Sequence, residues 1–309
     1  MGGIVVIGSI NMDVVNRVKE FPLPGETIHG NGTSYHGGGK GANQAVAASL
    51  AGAAVRMIGA VGTDAFGSTL LAGLGKFGVD TAGVRVKEGT SGLAFITVSD
   101  SGENTIILSA GGNGKLRPDD IAADQLEGAD CVLLQNEIPW ETNLHVMRLC
   151  RSLGVDVLYN PAPASSARLS GDVLGLVRTL VLNETEAESL TGLAVRGAEG
   201  AGRAAERLIA EGVGQIVVTL GREGSLYADA HGALVLTPAF PVEAVDTTAA
   251  GDTFIGAFAA ARQAGGELSG QLRFASAAAA LTVTRAGAQE SIPAKEEVDA
   301  FLRSRCGGS

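Results

Sequence analysis

Residues 131–160 read CVLLQNEIPWETNLHVMRLCRSLGVDVLYN. Two short, nearly all-apolar runs, CVLLQ (131–135) and VDVLYN (155–160), flank ETNLHVMRLCRSLG (141–154), whose apolar spacing is helical. A strand buried on both faces shows such a continuous run instead of polar alternation. The same kind of run recurs as IVVIG (4–8), VRMIGAV (55–61), TLVLN (179–183) and QIVVTL (215–220). Helical patterns stand between these runs: GANQAVAASLAGA (41–53), AFGSTLLAGLGKFG (65–78) and AAERLIAEG (204–212). This alternation predicts an α/β fold, a doubly wound, mostly parallel sheet flanked by helices.

Two stretches break the rhythm. Residues 13–36 are rich in Pro, Gly and polar residues, and 91–110 carry two alternating β runs around the turn DSGEN. They read either as surface loops or as a small separate sheet. The second reading divides the chain into an α/β core (1–12, 37–90 and 111–309) and a β lid (13–36 and 91–110). Leu93, Phe95, Ile96, Ile106 and Leu108 would give that sheet an apolar face. A sheet of two to four strands is marginal alone in water, so a second copy of the chain is expected to cover it, as a homodimer.

Composition narrows the function. The 309 residues are 45% apolar and only 4% aromatic, so the core must be built from Ala, Val, Leu and Ile. The net charge of −10, without basic runs, argues against nucleic-acid and anionic-membrane partners. Cys131, Cys150 and Cys306 form no C-x-x-C pair. With no basic n-region at the start and no apolar run of about 18 residues, a reducing cytoplasm is expected.

The chemistry concentrates in VDTTAAGDTFIGAF (245–258). Small residues at a helix start bring backbone N–H groups within reach of an anion. A carboxylate among them would repel that anion unless it serves as a base. The amides of Ala249, Ala250, Gly251 and Asp252 therefore suit a phosphoryl group in transfer, with Asp252 taking a proton from the attacking hydroxyl. Elsewhere, GGGKGAN (37–43) places four glycines in five residues, but Gly41 and Ser34 stand where a P-loop needs Ser or Thr and Gly. GLGKFG (73–78) follows a helical run, not a strand, so it is read as a helix end. GSINMD (8–13) sets Asn11 and Asp13 just after the first strand, as ligand groups or as an N-cap and turn. NETEAESL (183–190) is a capping box through Asn183 and Glu186, or lies beside hydrated Mg²⁺ and nucleotide phosphates. TLGREG (219–224) is a hairpin or a nucleotide loop.

Taken together, GSINMD, GGGKGANQAVA, NPAPA (160–164), NETEAE, TLGREG and AVDTTAAGDTF resemble the PfkB-type carbohydrate kinases, in order, from residue 4 to about 303. Asn11, Asp13 and GGKGAN point to the branch acting on ribose. The resemblance implies ATP-dependent phosphorylation of D-ribose at O5, with Asp252 as general base and the backbone of 249–252 as anion hole. It implies sugar contacts from Asn11, Asp13, Gly39, Lys40, Asn43 and Glu137. It puts Asn183, Glu186, Thr219, Gly221, Arg222, Glu223, Gly224, Gly251 and Ser276 at the nucleotide, with Mg²⁺ reached through water near Asn183 and Glu186. Asp246, Thr248, Thr282, Arg285, Gly287 and Ser291 match a monovalent-cation site, usually K⁺. The β excursions match the family's lid and dimer clasp. Ser276 departs from the His or Asn common near the adenine, and Met12 is larger than usual between the two sugar residues. Alternatives are the same chemistry on 2-deoxyribose or a nucleoside, and a sugar sensor without catalysis; a sensor would need neither Asp252 nor AAGD.

Overall fold

The computed structural model describes residues 2–164 and 169–306; residues 1, 165–168 and 307–309 of the expected core lie outside the described residues. The strands, in chain order, are β1 (Ile4–Ile7), β2 (Asn11–Val18), β3 (Gly32–Gly38), β4 (Val55–Gly62), β5 (Asp80–Lys87), β6 (Gly92–Ser99) and β7 (Asn104–Ser109), then β8 (Cys131–Gln135), β9 (Asp156–Asn160), β10 (Thr179–Asn183), β11 (Gln215–Thr219), β12 (Ser225–Asp229) and β13 (Leu234–Thr237). The helices are α1 (Lys40–Leu50), α2 (Ala65–Lys76), α3 (Trp140–Leu153), α4 (Gly171–Leu174), α5 (Glu184–Thr191), α6 (Gly197–Ala210), α7 (Ala250–Ala264), α8 (Leu268–Thr282) and α9 (Lys295–Cys306).

Nine strands form one sheet in the order β13-β12-β11-β10-β9-β8-β1-β4-β5. All neighbours are parallel except β11–β12 and β12–β13. The apolar runs follow from two cores, one per face. In β1, Ile4 and Val6 face the layer holding α1, α7 and α8, while Val5 and Ile7 face the layer holding α3 and α6. In β8, Leu133 faces the first and Val132 and Leu134 the second. Such a strand is buried on both faces along nearly all its length, so period-two alternation disappears.

Strands β5, β12 and β13 were not among the apolar runs. β5 and β13 are the two edges, and each exposes much of its length, so neither carries a continuous apolar signature. TLGREG resolves as the hairpin between β11 and β12. GLGKFG closes α2, whose last turn ends at Lys76.

Helices α1 and α7 approach unusually closely. A Cβ at Gly256 would lie 2.5 Å from the Gln44 carbonyl oxygen and 2.6 Å from the Ala47 Cβ. Only the missing side chain permits this contact, which sets the α1 residues Asn43 and Gln44 beside the first turn of α7. The far end of α7 is also tied down. Arg262 donates to Thr179 Oγ1 at 2.7 Å, Gln215 Oε1 at 2.9 Å and Asp156 Oδ2 at 2.9 Å, at the starts of β10, β11 and β9.

A separate four-stranded sheet has the order β3-β2-β6-β7. β2 and β3 run past residues 13 and 36 to include Asn11 and Gly38. Its apolar residues do not share one face. Phe95 pairs with Ile107, and Leu93 lies two residues from Phe95; Ile96 pairs with Ile106 and Ala94 with Leu108, on the opposite face. Phe95, Ile106, Ile107 and Leu108 are all exposed, Ile107 by 69%. The expected single apolar face is thus corrected to a sheet apolar on both sides. The alternating run 104–109, read with one face in mind, is exposed along its whole length.

Candidate active site

The polar groups singled out from the sequence converge where β1, β8, β10 and β11 end, the end at which doubly wound sheets bind ligands. Asn11 and Asp13 belong to neither an N-cap nor a turn; they open β2 and are buried. Asn113 fixes Asn11, donating Nδ2 to Asn11 Oδ1 at 2.7 Å while accepting from the Ile10 amide at 2.9 Å. Gly38 leaves room for Asp13, since a Cβ there would stand 2.2 Å from Asp13 Oδ2. Gly39, with φ of 91°, turns the chain into α1. Glu137 accepts from Ser9 Oγ at 2.5 Å and from the Lys40 amide at 3.1 Å.

Asp252 sits in the first turn of α7 and is 8% exposed. Asn43 Nδ2 donates to its Oδ2 and Gln44 Nε2 to its Oδ1, each at 3.0 Å. The residue before the helix, Ala249, has φ of 60°, a left-handed conformation costing a non-glycine residue about 1–2 kcal/mol. The Ala250 amide makes a long bond of 3.3 Å to the Thr247 carbonyl. The Gly251 and Asp252 amides have no acceptor among the described residues.

Electrostatics bind these groups into one cluster. Burial, then the charges of Glu137, Asp252 and Glu290, push the Asp13 carboxyl up to about 7. The Asp252 charge, reinforced by Glu137 and Glu186 and opposed by burial, holds the Lys40 ammonium above its usual range. Burial also raises Glu186, against the pull of its bond from the Asn183 amide and of Lys40.

Asn183 and Glu186 do form the capping box of α5. Asn183 Oδ1 accepts from the Glu186 amide at 2.8 Å, and Glu186 Oε2 accepts from the Asn183 amide at 3.0 Å. Asn160, from NPAPA, adds a bond to Glu186 Oε2 at 3.3 Å. Thr219 ends β11, with its hydroxyl on the Leu182 carbonyl. Gly221, Arg222 and Glu223 make one 3₁₀ turn, and Gly224, at φ of 109°, returns the chain to β12. Ser276 is buried in α8.

Asp246 lies apart from this cluster. Its Oδ1 accepts from the Thr248 amide and hydroxyl, and its Oδ2 accepts from the Gly287 amide at 3.0 Å. Burial opposes ionisation there, but those bonds hold its carboxyl below the ordinary range. Thr282 Oγ1 donates to Thr253 Oγ1, Ser291 Oγ donates to the Ala288 carbonyl, and Arg285 pairs with Glu297. Sequence reading passed over Gln44, Asn113 and Gln135. Gln44 stands next to the motif residue Asn43, but an amide inside an Ala-rich helix carries no signal of its own.

A buried carboxylate beside free helix-start amides, on a doubly wound sheet, defines a small-molecule kinase. A family model described as pfkB family carbohydrate kinase matches residues 1–295. The chain belongs to the pfkB family of carbohydrate kinases. It is 44% identical to ribokinase of Schizosaccharomyces pombe, over 97% of both chains. It is 37% identical to deoxyribokinase of Salmonella typhi, over 97% of this chain and 98% of that one. The structure of Arabidopsis thaliana ribokinase complexed with ribose and ATP superposes with a TM-score of 0.91 at 33% identity, covering 98% of this chain and 99% of that one.

The raised Asp13 carboxyl has a measurable consequence. Its unfolded value is near 3.8 and its folded value about 7, so the native state holds the extra proton between them. Asp13 therefore adds stability below pH 4 that is lost as pH rises towards 7. Asp13→Asn, which removes this titration, should raise the melting temperature of the unliganded protein more at pH 8 than at pH 5. Equal changes at the two pH values would show an ordinary surface-like carboxyl.

Proposed function

We propose that the chain phosphorylates D-ribose at O5 with ATP. The observation carrying this reading is the start of α7: the Asp252 carboxylate, the unpaired amides of Gly251 and Asp252, and the strained Ala249 that precedes them. Backbone strain of this kind persists where a site uses it. Asp252 takes the proton from the 5-hydroxyl, and the oxygen attacks the γ-phosphate in line. The amides of 249–252, chiefly Gly251 and Asp252, receive the developing negative charge. Asn11, Asp13, Gly39, Lys40, Asn43 and Glu137 hold the sugar. Asn183, Glu186, Thr219, residues 221–224, Gly251 and Ser276 hold ATP. Residues 13–36 and 91–110 act as the lid on the remaining α/β core.

Asn183 and Glu186 fit a hydrated Mg²⁺. The Glu186 oxygens already accept protein N–H groups but retain lone pairs for water, and Mg²⁺ is commonly held through water and few carboxylates. When bound, it would neutralise phosphate charge. Asp246, Thr248, Thr282, Arg285, Gly287 and Ser291 fit a monovalent ion held mainly by carbonyls, because the Asp246 oxygens and the Arg285 guanidinium are already engaged.

A coupled assay of ADP formation tests the reading. Asp252→Asn should lower kcat by roughly 10²- to 10⁴-fold, the usual contribution of a general base, with ribose binding retained. Near-normal turnover would remove Asp252 from the mechanism. The second reading is 2-deoxyribose, favoured by the 37% identity to a deoxyribokinase. Above about pH 7, where its raised carboxyl is ionised, Asp13 only accepts hydrogen bonds and suits the neighbouring 2- and 3-hydroxyls of ribose. Loss of one partner costs about 1–3 kcal/mol, or roughly 5- to 150-fold in kcat/KM. Ribose should lead by that margin, and Asp13→Ala should narrow it; equal kcat/KM for the two sugars would put 2-deoxyribose ahead.

K⁺ should activate, since an ion beside Asp246 braces the turn leading into Ala249 without touching substrate. Unchanged activity when a bulky organic cation replaces K⁺ in Na⁺-free buffer would dismiss the site.

A homodimer through the lid follows from its two exposed apolar faces. Light scattering should give twice the chain mass at micromolar concentration; a fully active monomer would contradict it.

A further inference from the structure

Behind Asp252 runs a chain of side-chain amides that the mechanism above does not use. Gln44 Nε2 donates to Asp252 Oδ1 at 3.0 Å, and Gln135 Nε2 donates to Gln44 Oε1 at 2.7 Å. Asn143 Nδ2 in turn anchors the Gln135 backbone carbonyl at 2.7 Å. Gln44 and Gln135 are both 0% exposed. The chain links α7, α1 and the end of β8, and it joins α1 to α7 a second time beside the Asn43–Asp252 bond.

The direction of the chain is dictated by its end. An ionised carboxylate can only accept, so Gln44 must present its NH₂ group, which turns its carbonyl the other way. That buried carbonyl needs a donor, and the Gln135 NH₂ supplies it. Gln135 Oε1 is then left without a partner, against Gly8, where a Cβ would come within 2.0 Å of it. An orphaned buried acceptor is unfavourable, and apolar residues of similar size would fill the same space without one. The arrangement makes sense through what it does to Asp252. Both glutamines are neutral, so they orient the carboxylate without altering the charges that face it, Lys40 from α1, Asp13 from β2 and Glu186 from α5.

We propose that Gln44 and Gln135 are positioning residues for phosphoryl transfer, a one-way amide chain that holds the Asp252 carboxylate in the orientation from which it takes the sugar proton. The proposal rests on the reading of Asp252 as the base. Asn43 alone, bound to the other oxygen, leaves the carboxylate free to rotate about that contact.

The test is a double-mutant cycle in the full chain, with kcat and KM measured for ribose and ATP and sugar binding followed by calorimetry. Gln44→Met removes the donor. Gln135→Glu keeps the shape but replaces the donor by an acceptor, so that Gln44 must turn its amide and face Asp252 with its carbonyl. Each change should lower kcat by roughly 10- to 100-fold, the range for a lost bond to a charged group, with both KM values and calorimetric sugar affinity little changed. If Gln135→Glu fails to fold, Gln135→Met carries the same expectation. In an Asp252→Asn background, Gln44→Met should change kcat by less than about 2-fold, because interacting residues are not additive. Equal fold losses in both backgrounds, or wild-type kcat for the Gln44 and Gln135 variants, would overturn the amide chain and leave Asp252 as base. Near-normal turnover by Asp252→Asn alone would overturn the base itself, and the chain with it.

Discussion

The site depends on how closely α1 and α7 can pack. Gly256 rests on the Gln44 carbonyl at a distance that even a methyl group would forbid. The flanking Ala42, Ala45, Ala47, Ala48, Ala257, Ala259 and Ala260 are all buried between the helices and the sheet. Small residues give up apolar area, which the large helices of other cores obtain from Leu and Phe. In return, the first turns of two helices from opposite ends of the chain stand side by side. Asn43 and Gln44 thereby reach Asp252, more than 200 residues away in sequence.

That juxtaposition crowds charge. Asp13, Glu137, Glu186 and Asp252 all act electrostatically on the same small volume, with Lys40 as the counter-charge among them. Burial disfavours ionisation first and the neighbouring like charges add to it, and the displaced Asp13 carboxyl is the result. Hydrogen bonds moderate the crowding unevenly. Glu137 and Glu186 take backbone amides at the starts of α1 and α5, and Asp252 takes two side-chain amides. For Asp13 no comparable set of donors exists among the described residues, so it retains the most unmet accepting capacity and is the group best prepared for hydroxyls.

The central strands were legible because burial on both faces leaves continuous apolar runs, as in IVVI and CVLL. The edges β5 and β13 were not, because half-exposed strands look like mixed loops. The lid hairpin was visible from its turn, and alternation alone sets the neighbours Phe95 and Ile96 on opposite sides; which residues of β7 share each side needs the pairing register. In the site, Asp252, Asn43 and the capping box stood out because motif and local geometry coincide. Asn113 and Gln135 carry no local pattern. They matter through partners about 90 to 100 residues distant, and only folding brings those partners within reach.

Helix α7 is held at both ends. Arg262 grips three strand starts at one end, and Asp252 is bonded to α1 at the other. At about 1.5 Å per residue, its 15 residues span roughly 22 Å. A rod clamped at both ends cannot slide along its axis or tilt without breaking charged contacts at the opposite side of the molecule. The carboxylate at its tip is consequently a fixed reference point.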